Sequence, residues 1–296
     1  ADKSIVRTWP MRGTLHFVPA EDACWMLDLL TPRLRGRFAR RYEELGLDES
    51  AFGRGGEIIQ AALQGGKIMT RPEAVAALAR AGLETADQRG YHILGHLAQG
   101  GLICFGPRQG KQFTFVLLDE WVPHPRRPER EEALGLLARR YFTSHGPATV
   151  QDFGWWCGLT VADIRTGIDQ AGLASESIDG KTHWWASDGS LNCDGGRTSF
   201  LLPAFDEYLV AYRDRSAARH PRLPQHVTGL DMLFPVIVVD GGVVGTWTRR
   251  IVKDVLRLDG RLLVRLTRAQ KRAVGEAAER YGAFVGMPKA VDLRLQ

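Results

Sequence analysis

The amino-acid sequence predicts an α+β protein of several domains, and three observations support this fold class. Its 296 residues exceed the length of one ordinary domain and suit two or three. Within residues 51–190, a pattern of helices followed by a hairpin occurs twice in succession. From about residue 198 the patterns are mainly those of strands, until a final helix at 268–281. We therefore expect helical modules first and a β-rich module last.

Composition and charge exclude several other classes of protein. Hydrophobic residues make up 44% and charged residues 25%, which excludes a disordered, collagen-like or disulfide-stapled chain. The 39 Lys and Arg residues exceed the 34 Asp and Glu residues by five, and this mild excess permits a nucleic-acid partner without requiring one. No apolar run approaches the roughly 20 residues that span a bilayer, and no signal peptide opens the chain. We expect a soluble protein with no membrane partner.

The cysteines favour a reduced, cytoplasmic protein without a metal site. They lie far apart, in or near apolar runs, and none belongs to the C-x-x-C pair that is typical of structural zinc. Buried thiols in a reducing compartment are the simplest interpretation. The four residues are Cys24, Cys104, Cys157 and Cys193.

Residues 51–122 form the clearest module. Thr70 followed by Glu73 is the signature of a capping box, and it opens a helix predicted over 74–81. The elements that follow are a helix over 86–99, a strand over 102–105, a basic turn at 106–111 and a strand over 112–118. This is the order of a winged helix, whose second helix enters the major groove of DNA while the hairpin tip contacts the backbone.

Residues 129–190 repeat that order after a proline-rich linker at 123–128. A helix is predicted over 131–142, and Thr149 and Thr160 are expected to cap the next two helices. A hairpin at 177–185 follows. We interpret this segment as a further winged helix.

The opening residues 1–50 are interpreted as the remnant of a first winged helix. Strand patterns at 5–9 and 13–18 predict a two-stranded ribbon, which is marginal alone and suggests that helices upstream are missing. A helix is expected to begin after Pro19, and an arginine-rich helical stretch covers 33–48.

Residues 197–296 are predicted to form a β-rich, barrel-like domain, either a small β-barrel or a strongly twisted sheet, that ends in a helix. Short turns are expected at Asp240-Gly241-Gly242 and Asp259-Gly260, because Asp-Gly pairs favour hairpins. The strand candidates are 199–202, 208–210, 236–239, 243–244, 249–257 and 262–266.

Three separated segments make the sequence resemble the AlkZ/YcaQ-like DNA glycosylases, a bacterial family. They are Val6–His16, Leu202–Arg215 and Val239–Trp247. The resemblance covers essentially the whole chain and implies tandem winged-helix domains followed by a C-terminal β-barrel. It also implies a monomer that binds duplex DNA and removes alkylated or crosslinked bases by hydrolysis of the N-glycosidic bond, with no cofactor.

The sequence departs from the family at the catalytic motif. Proven glycosylases of the family carry a Gln-x-Gln or Gln-x-Asp pair before the Arg-Thr-Trp ribbon, and this sequence contains neither. The catalytic residues are therefore unknown, and a non-catalytic DNA-binding protein, either damage-recognising or regulatory, is the alternative. Asp206 and Glu207 either line the DNA channel or pair with Arg213 or Arg215 to lock the β-rich domain.

Basic and polar side chains on the ribbons and on one helix are the candidates for DNA contacts. Those of the opening ribbon are Arg7, Arg12, Thr14 and His16, those of the helix over 86–99 are Arg89, His92 and His96, those of its hairpin tip are Arg108 and Lys111, and those after Trp247 are Arg249 and Arg250. Other interpretations stay open. His16 and Trp9 fit a core equally well, the helix residues fit a solvated face, and the arginine pair fits a charge-protected strand edge.

Overall fold

The computed structural model describes residues 3–187, 198–223, 234–287 and 291–296, so Cys193 lies outside the described residues. The chain divides into two compact units, Ala1–Ala186 and Ser187–Gln296. Helices and sheets occur in both units, which confirms the mixed α and β fold class. Within the described residues, no helix is long and apolar enough to cross a membrane.

The first unit opens with the predicted ribbon. Arg12 and Gly13 adopt positive φ angles of 55° and 70° at its tip, as a tight two-residue hairpin turn requires. The arginine-rich stretch is not one helix, because the helix is interrupted at Phe38. The elements are β1 (Ile5–Met11), β2 (Thr14–Pro19), α1 (Ala20–Arg37) and α2 (Ala39–Glu44).

The elements predicted for residues 51–122 are present in the expected order. The first helix begins directly after Asp48, because the Asp48 side chain accepts a hydrogen bond from the backbone N–H of Ala51 at 2.8 Å and caps it. The Thr70–Glu73 capping box is confirmed. The elements are α3 (Glu49–Leu63), β3 (Met69–Thr70), α4 (Arg71–Arg80), α5 (Arg89–Gln99), β4 (Ile103–Phe105), β5 (Thr114–Leu117) and α6 (Leu118–Trp121).

The opening ribbon joins the sheet of this second segment. The strand order is β2-β1-β4-β5-β3, and β1 pairs with β4 antiparallel where Arg7 faces Phe105. The core beneath contains Ile59, Ile93 and Phe115, each at most 1% exposed. Full burial of such a side chain stabilises the fold by about 1.5–3 kcal/mol. This packing holds the ribbon beside the β4–β5 hairpin.

The rest of the first unit follows the prediction closely. Thr149 caps its helix through a capping box with Asp152, Thr160 caps the next helix, and Gly172 ends that helix with a positive φ of 62°. The elements are α7 (Arg130–His145), α8 (Val150–Cys157), α9 (Val161–Ala171), β6 (Leu173–Ile178) and β7 (Lys181–Ala186).

The described strands of the second unit form one open sheet in the order β12-β11-β10-β9-β8, and these strands do not close into a barrel. Helix α11 packs against this sheet, with Val274 fully buried. The elements are β8 (Ser199–Leu202), α10 (Glu207–Val210), β9 (Val236–Val239), β10 (Gly242–Val252), β11 (Val255–Leu262), α11 (Arg268–Phe284) and β12 (Val291–Leu295), with a 3₁₀ turn at Ser216–Ala218.

Two local predictions in this unit are wrong for identifiable reasons. The strand expected at 208–210 is a helical turn, because Asp206 accepts a hydrogen bond from the backbone N–H of Tyr208 at 2.9 Å and caps it. Gly260 lies inside β11 rather than in a turn. A Cβ at Gly260 would approach Leu295 Cδ2 to 2.7 Å, so this glycine allows close packing.

The strand boundaries beyond Trp247 also differ from the prediction. The single strand expected at 249–257 is the end of β10 and the start of β11. These strands are joined by a turn in which Lys253 and Asp254 have φ angles of 48° and 61°. The strand expected at 262–266 ends at Leu262. The turn predicted at Asp240-Gly241 is confirmed, because it connects β9 to β10.

Candidate nucleic-acid interface

Arg7 and Arg108 meet at one aromatic ring. The pairing of β1 with β4 brings Arg7 to the base of the β4–β5 hairpin, and Arg108 lies at the hairpin tip. The Arg7 guanidinium lies 4.1 Å from the ring centroid of Phe113, and the Arg108 guanidinium lies 4.4 Å from the same centroid. Arg7 also lies 5.1 Å from the ring of Phe105. Both cations are therefore held by aromatic faces.

The charges of these two arginines are not neutralised by any carboxylate within the described part of the chain. Arg7 Nη1 is buried and makes no hydrogen bond there. Burial disfavours the charged form of Arg7, and the charge of Arg108 repels it, so the pKa of Arg7 is lowered. The guanidinium stays protonated at neutral pH. An anion bound between the two would relieve both effects.

Lys111 completes this basic hairpin tip. It is exposed, and it sits in a turn closed by reciprocal backbone hydrogen bonds between Gln109 and Gln112, each 3.0 Å long. Gly110 supplies the positive φ of 59° that this turn needs. The tip therefore presents its ammonium group to solvent from a defined backbone.

At the tip of the β1–β2 ribbon, the candidate residues divide between internal and solvent contacts. Arg12 Nη1 donates to the backbone carbonyl of Trp156 at 3.0 Å, so Arg12 ties the ribbon to α8. Thr14 and His16 lie together, with 2.9 Å between Thr14 Oγ1 and His16 Nε2. Trp9 belongs to the core at 5% exposure, as one of the two interpretations expected, whereas His16 stays half-exposed.

Helix α5 does not present an open face of basic residues. Tyr91 is its single exposed residue, since the helix packs against β1, α1 and α3. Arg89 Nε donates to the backbone carbonyl of Leu45 at 2.7 Å. His96 stacks on Phe52 with 3.7 Å between ring centroids. Arg89, His92 and His96 therefore do not form an exposed recognition face on α5.

The two histidines of α5 belong to an aromatic cluster. The ring centroid of Tyr42 lies 5.9 Å from that of His92 and 5.8 Å from that of His96. Burial lowers the pKa of both imidazoles, and the charges of Arg41 and Arg35 lower the pKa of His92 and His96, respectively, further. Both therefore favour the neutral form near neutral pH.

Arg249 and Arg250 lie in the second unit, near the end of the β10–β11 ribbon. Arg249 donates to the Tyr281 hydroxyl and lies 5.8 Å from the centroid of that ring. Arg250 forms an ion pair with Asp259 across the ribbon at 3.1 Å. Beyond them, Ile251 is 61% exposed. The two arginines are therefore anchored just before the exposed end of this ribbon.

Phe113 is the functional candidate that the sequence-based prediction omitted. Phe113 directly precedes β5, and the alternation Phe113-Thr114-Phe115 within the strand predicted over 112–118 was the available signal, because such alternation places both rings on one face. Its partner Phe105 is contributed by the opposite strand, with 5.6 Å between the ring centroids of Phe105 and Phe113. Among the described residues, no group of three or more His, Cys, Asp or Glu side chains is placed to hold a metal ion.

Arg and Lys side chains that cluster on one surface are the groups that contact nucleic-acid phosphates in proteins. Comparison with known proteins identifies the family. The family described as "DNA glycosylase AlkZ-like" matches residues 1–284, and the chain belongs to this family. This confirms the family expected from the three sequence segments.

Two matches from Streptomyces sahachiroi, one to a protein sequence and one to a solved structure, show the extent of the similarity. The chain is 28% identical over 282 residues to an "Interstrand DNA cross-link repair glycosylase", and the match covers 83% of this chain and 71% of the relative. The solved structure of the DNA glycosylase AlkZ matches with a TM-score of 0.79 and 25% identity, covering 100% of this chain and 82% of that chain.

Proposed function

We propose that this protein binds duplex DNA and serves base excision repair as a glycosylase, hydrolysing the N-glycosidic bond of alkylated or crosslinked bases. Membership of the AlkZ-like family supports the reaction class. The name of the interstrand cross-link repair relative supports the substrate class. The observation that carries the proposal is the pair of uncompensated guanidinium groups of Arg7 and Arg108 on the ring of Phe113.

The arginine pair fits a phosphate of the DNA backbone. A guanidinium presents several N–H donors in a plane and binds phosphate oxygens through two of them. Phe113 fixes both groups, so little side-chain entropy is lost when a phosphate arrives. Lys111 adds a third cation at the same hairpin tip. Contact by a hairpin tip agrees with the wing of a winged helix.

The same proposal assigns domains to the chain. Residues 1–50 would belong to a first winged helix, 51–122 to a second, 129–190 to a third and 197–296 to a β-rich domain. Because α5 is enclosed, we place the DNA contacts of the second domain in its hairpin rather than in its second helix. Thr14, His16, Arg249 and Arg250 remain candidates for further backbone contacts. We also propose a cytoplasmic monomer that needs no metal ion.

One sequence observation favours an alternative without catalysis. Hydrolysis of an N-glycosidic bond needs a positioned water and nearby oxygen atoms that stabilise a cationic sugar. The Gln-x-Gln or Gln-x-Asp pair that supplies these groups in the resembled family is absent from this sequence. The alternative is a protein that binds duplex or damaged DNA without releasing a base.

The salt dependence of duplex binding tests the DNA contacts. Each phosphate contact contributes about 0.9 to the slope of log K against log salt. R108A/K111A removes two cations from the hairpin tip, and the slope should fall by about 1.8. The control K271A/R272A removes the same charge from α11, where Arg272 lies near Glu276, and should change the slope little. Equal effects of the two pairs would contradict the assigned contacts.

Release of a base separates the two functions. Duplex DNA containing 7-methylguanine is incubated with the protein, and the free base is measured by mass spectrometry. Release above the uncatalysed rate supports a glycosylase. Salt-dependent binding without release favours the non-catalytic alternative. A salt-independent affinity would refute both, since phosphate contacts release counterions.

A further inference from the structure

A buried carboxylate joins the first long helix to the third predicted domain. Asp22 lies in the first turn of α1 and is 0% exposed. Its Oδ1 accepts a hydrogen bond from Trp25 Nε1 at 2.9 Å, and its Oδ2 forms an ion pair with Arg140 Nη2 at 2.7 Å. Arg140 belongs to α7, the first helix of the segment interpreted as the third winged helix. The pair therefore connects two predicted domains within the first unit.

The position of Asp22 in α1 does not account for its burial. A carboxylate in the first turn stabilises a helix through the helix dipole, and Glu21 already provides one from an exposed position. Taking a carboxylate out of water is costly unless a cation accompanies it. The reason for a charge at this depth therefore lies in its contact with Arg140 on α7.

A buried ion pair contributes orientation more than stability. Apolar side chains of similar volume often stabilise a protein equally well or better, because they lose no hydration when they are buried. A carboxylate and the planar guanidinium group, by contrast, meet at a fixed distance and within a restricted range of angles. The Asp22 carboxylate is itself held by Trp25, which is 2% exposed. The pair therefore defines where α7 lies along α1.

The opening ribbon is held against the third domain near both of its ends. Its last strand leads directly into α1, three residues before Asp22. Its tip is tied to α8, because Arg12 Nη1 donates to the backbone carbonyl of Trp156 at 3.0 Å. The same ribbon carries Arg7, one of the two arginines that we assign to a DNA phosphate. The ion pair therefore acts on the position of Arg7 relative to the third domain.

The linker between the second and third domains adds contacts to the same helix. The backbone N–H of Arg126 donates to the carbonyl of Glu21 at 3.1 Å. Arg127 Nη1 lies 3.6 Å from Asp28 Oδ2, and both of these side chains are 67% exposed. Exposed ion pairs contribute little, because water screens them and both side chains lose entropy. The buried pair of Asp22 and Arg140 is the contact among these that fixes an orientation.

We propose that Asp22 and Arg140 are positioning residues for DNA binding. Their ion pair fixes the site of Arg7 and Arg108 relative to the third domain, so that both contact one duplex at the same time. This inference rests on the proposed function, and neither residue of the pair needs to touch DNA. Two contacts on one ligand reinforce each other when their separation is correct, and the gain is lost when the geometry prevents simultaneous contact.

The double variant D22N/R140M removes the ion pair without leaving a buried charge. The amide oxygen of the new side chain still accepts from Trp25, and the flexible methionine fills the space of the arginine stem. The matched control is D28N/R127M, which makes the same two changes at the exposed pair on the same helix. Both variants keep the net charge of the protein, so a difference between them reports the buried pair.

Duplex length separates positioning from a general loss of structure. A duplex of about 24 base pairs is roughly 80 Å long, and one of about 8 base pairs is roughly 27 Å long. A compact unit of the length of Ala1–Ala186 is about 40 Å across. The long duplex therefore extends across both contacts, whereas the short one occupies one contact at a time. Fluorescence anisotropy at one salt concentration measures both affinities.

The expected pattern is specific to a positioning role. D22N/R140M should bind the long duplex at least about tenfold more weakly than the unmodified protein, whereas D28N/R127M should bind it equally well. All three proteins should bind the short duplex with affinities within about twofold of one another, because a single contact gains nothing from positioning. An equal loss on both duplexes, or full binding of the long duplex by D22N/R140M, overturns the proposal.

A distance measurement tests the positioning without DNA. Spin labels are attached to cysteines introduced at Gln109, in the hairpin tip, and at Gln170, in α9, both of which are exposed. The cysteines that the structure describes are buried, and C193S removes the remaining thiol. Double electron–electron resonance then measures the separation of the two labels.

The distance distribution should be narrow in the unmodified protein and in D28N/R127M, and broader or displaced in D22N/R140M. An unchanged distribution in D22N/R140M would overturn the positioning role. If the unmodified protein binds neither duplex while D22N/R140M still broadens the distribution, the proposed function fails and the ion pair remains the contact that fixes the two domains.

Discussion

Thr149→Ala is expected to destabilise the first unit more than the same change at any exposed helix cap. Thr149 and Asp152 are 5% and 4% exposed, so their capping box is buried. The Thr149 hydroxyl accepts from the backbone N–H of Asp152 at 3.2 Å and donates to Asp152 Oδ2 at 2.6 Å. Alanine removes both bonds and deprives the buried backbone N–H of Asp152 of its hydroxyl acceptor.

The size of the effect follows from these two losses. A lost N-cap typically costs about 1 kcal/mol. An unsatisfied buried polar group adds about 1–3 kcal/mol. Because the Thr149 backbone N–H still donates to Asp152 Oδ2 at 3.0 Å, part of the box survives, and we expect a total loss of roughly 2–3 kcal/mol.

Thr160→Ala is the matched control. Thr160 makes the same two bonds to Asp163, at 3.1 and 2.8 Å, in the next helix of the same unit, but it is exposed. Water replaces the lost hydroxyl there, so the expected loss is about 0.5–1 kcal/mol. Urea denaturation followed by circular dichroism measures both losses, and Thr149→Ser should recover most of the stability. Equal losses for the two alanine variants would refute the argument from burial.

Three further outcomes are expected. Burial lowers the pKa of His96, so the folded state binds the imidazole proton only at lower pH than the unfolded state does. Stability is therefore lost as the pH falls below about 6.5, the pKa of an unperturbed histidine. The urea midpoint of H96N should fall less between pH 7.5 and pH 5.5 than that of the unmodified protein. Burial raises the pKa of Cys104 and Cys157 to about 12, so iodoacetamide at pH 8 should modify neither until urea is added, as peptide mass spectrometry will show. Gly167→Ala should lower the free energy of unfolding by about 1–3 kcal/mol, because the new Cβ would approach the Leu134 carbonyl oxygen to 2.8 Å. Gly53→Ala should raise it by up to about 1 kcal/mol, because a Cβ there meets nothing within 4 Å. Changes of the same sign for both variants in thermal unfolding would contradict this.

The parts of the fold that depend on residues three or four positions apart could be predicted from the sequence. The caps at Thr70, Thr149 and Thr160 are of this kind, since each hydroxyl bonds a backbone N–H three residues later. The hairpin turn after Val239 is equally local. The residues that specify these features lie within a few positions of one another, and no tertiary contact overrides them here.

Features that depend on distant contacts escaped prediction. The pairing of β1 with β4 joins Arg7 to Phe105, and the parallel pairing of β12 with β11 joins Val291 to Leu256. Neither register is written in the local pattern. Gly260 was assigned to a turn because an Asp-Gly pair commonly forms one, and only its contact with Leu295 explains a glycine inside a strand.

The candidate site shows the same division between residue type and placement. Arg7 and Arg108 were each selected as basic residues on predicted hairpins, but their meeting at Phe113 requires the β1–β4 register. His92 and His96 were placed correctly on one side of a helix. Which side faces solvent depends on the packing of Phe52 and Tyr42. Periodicity gives the spacing of side chains on a helix, not the direction in which they point.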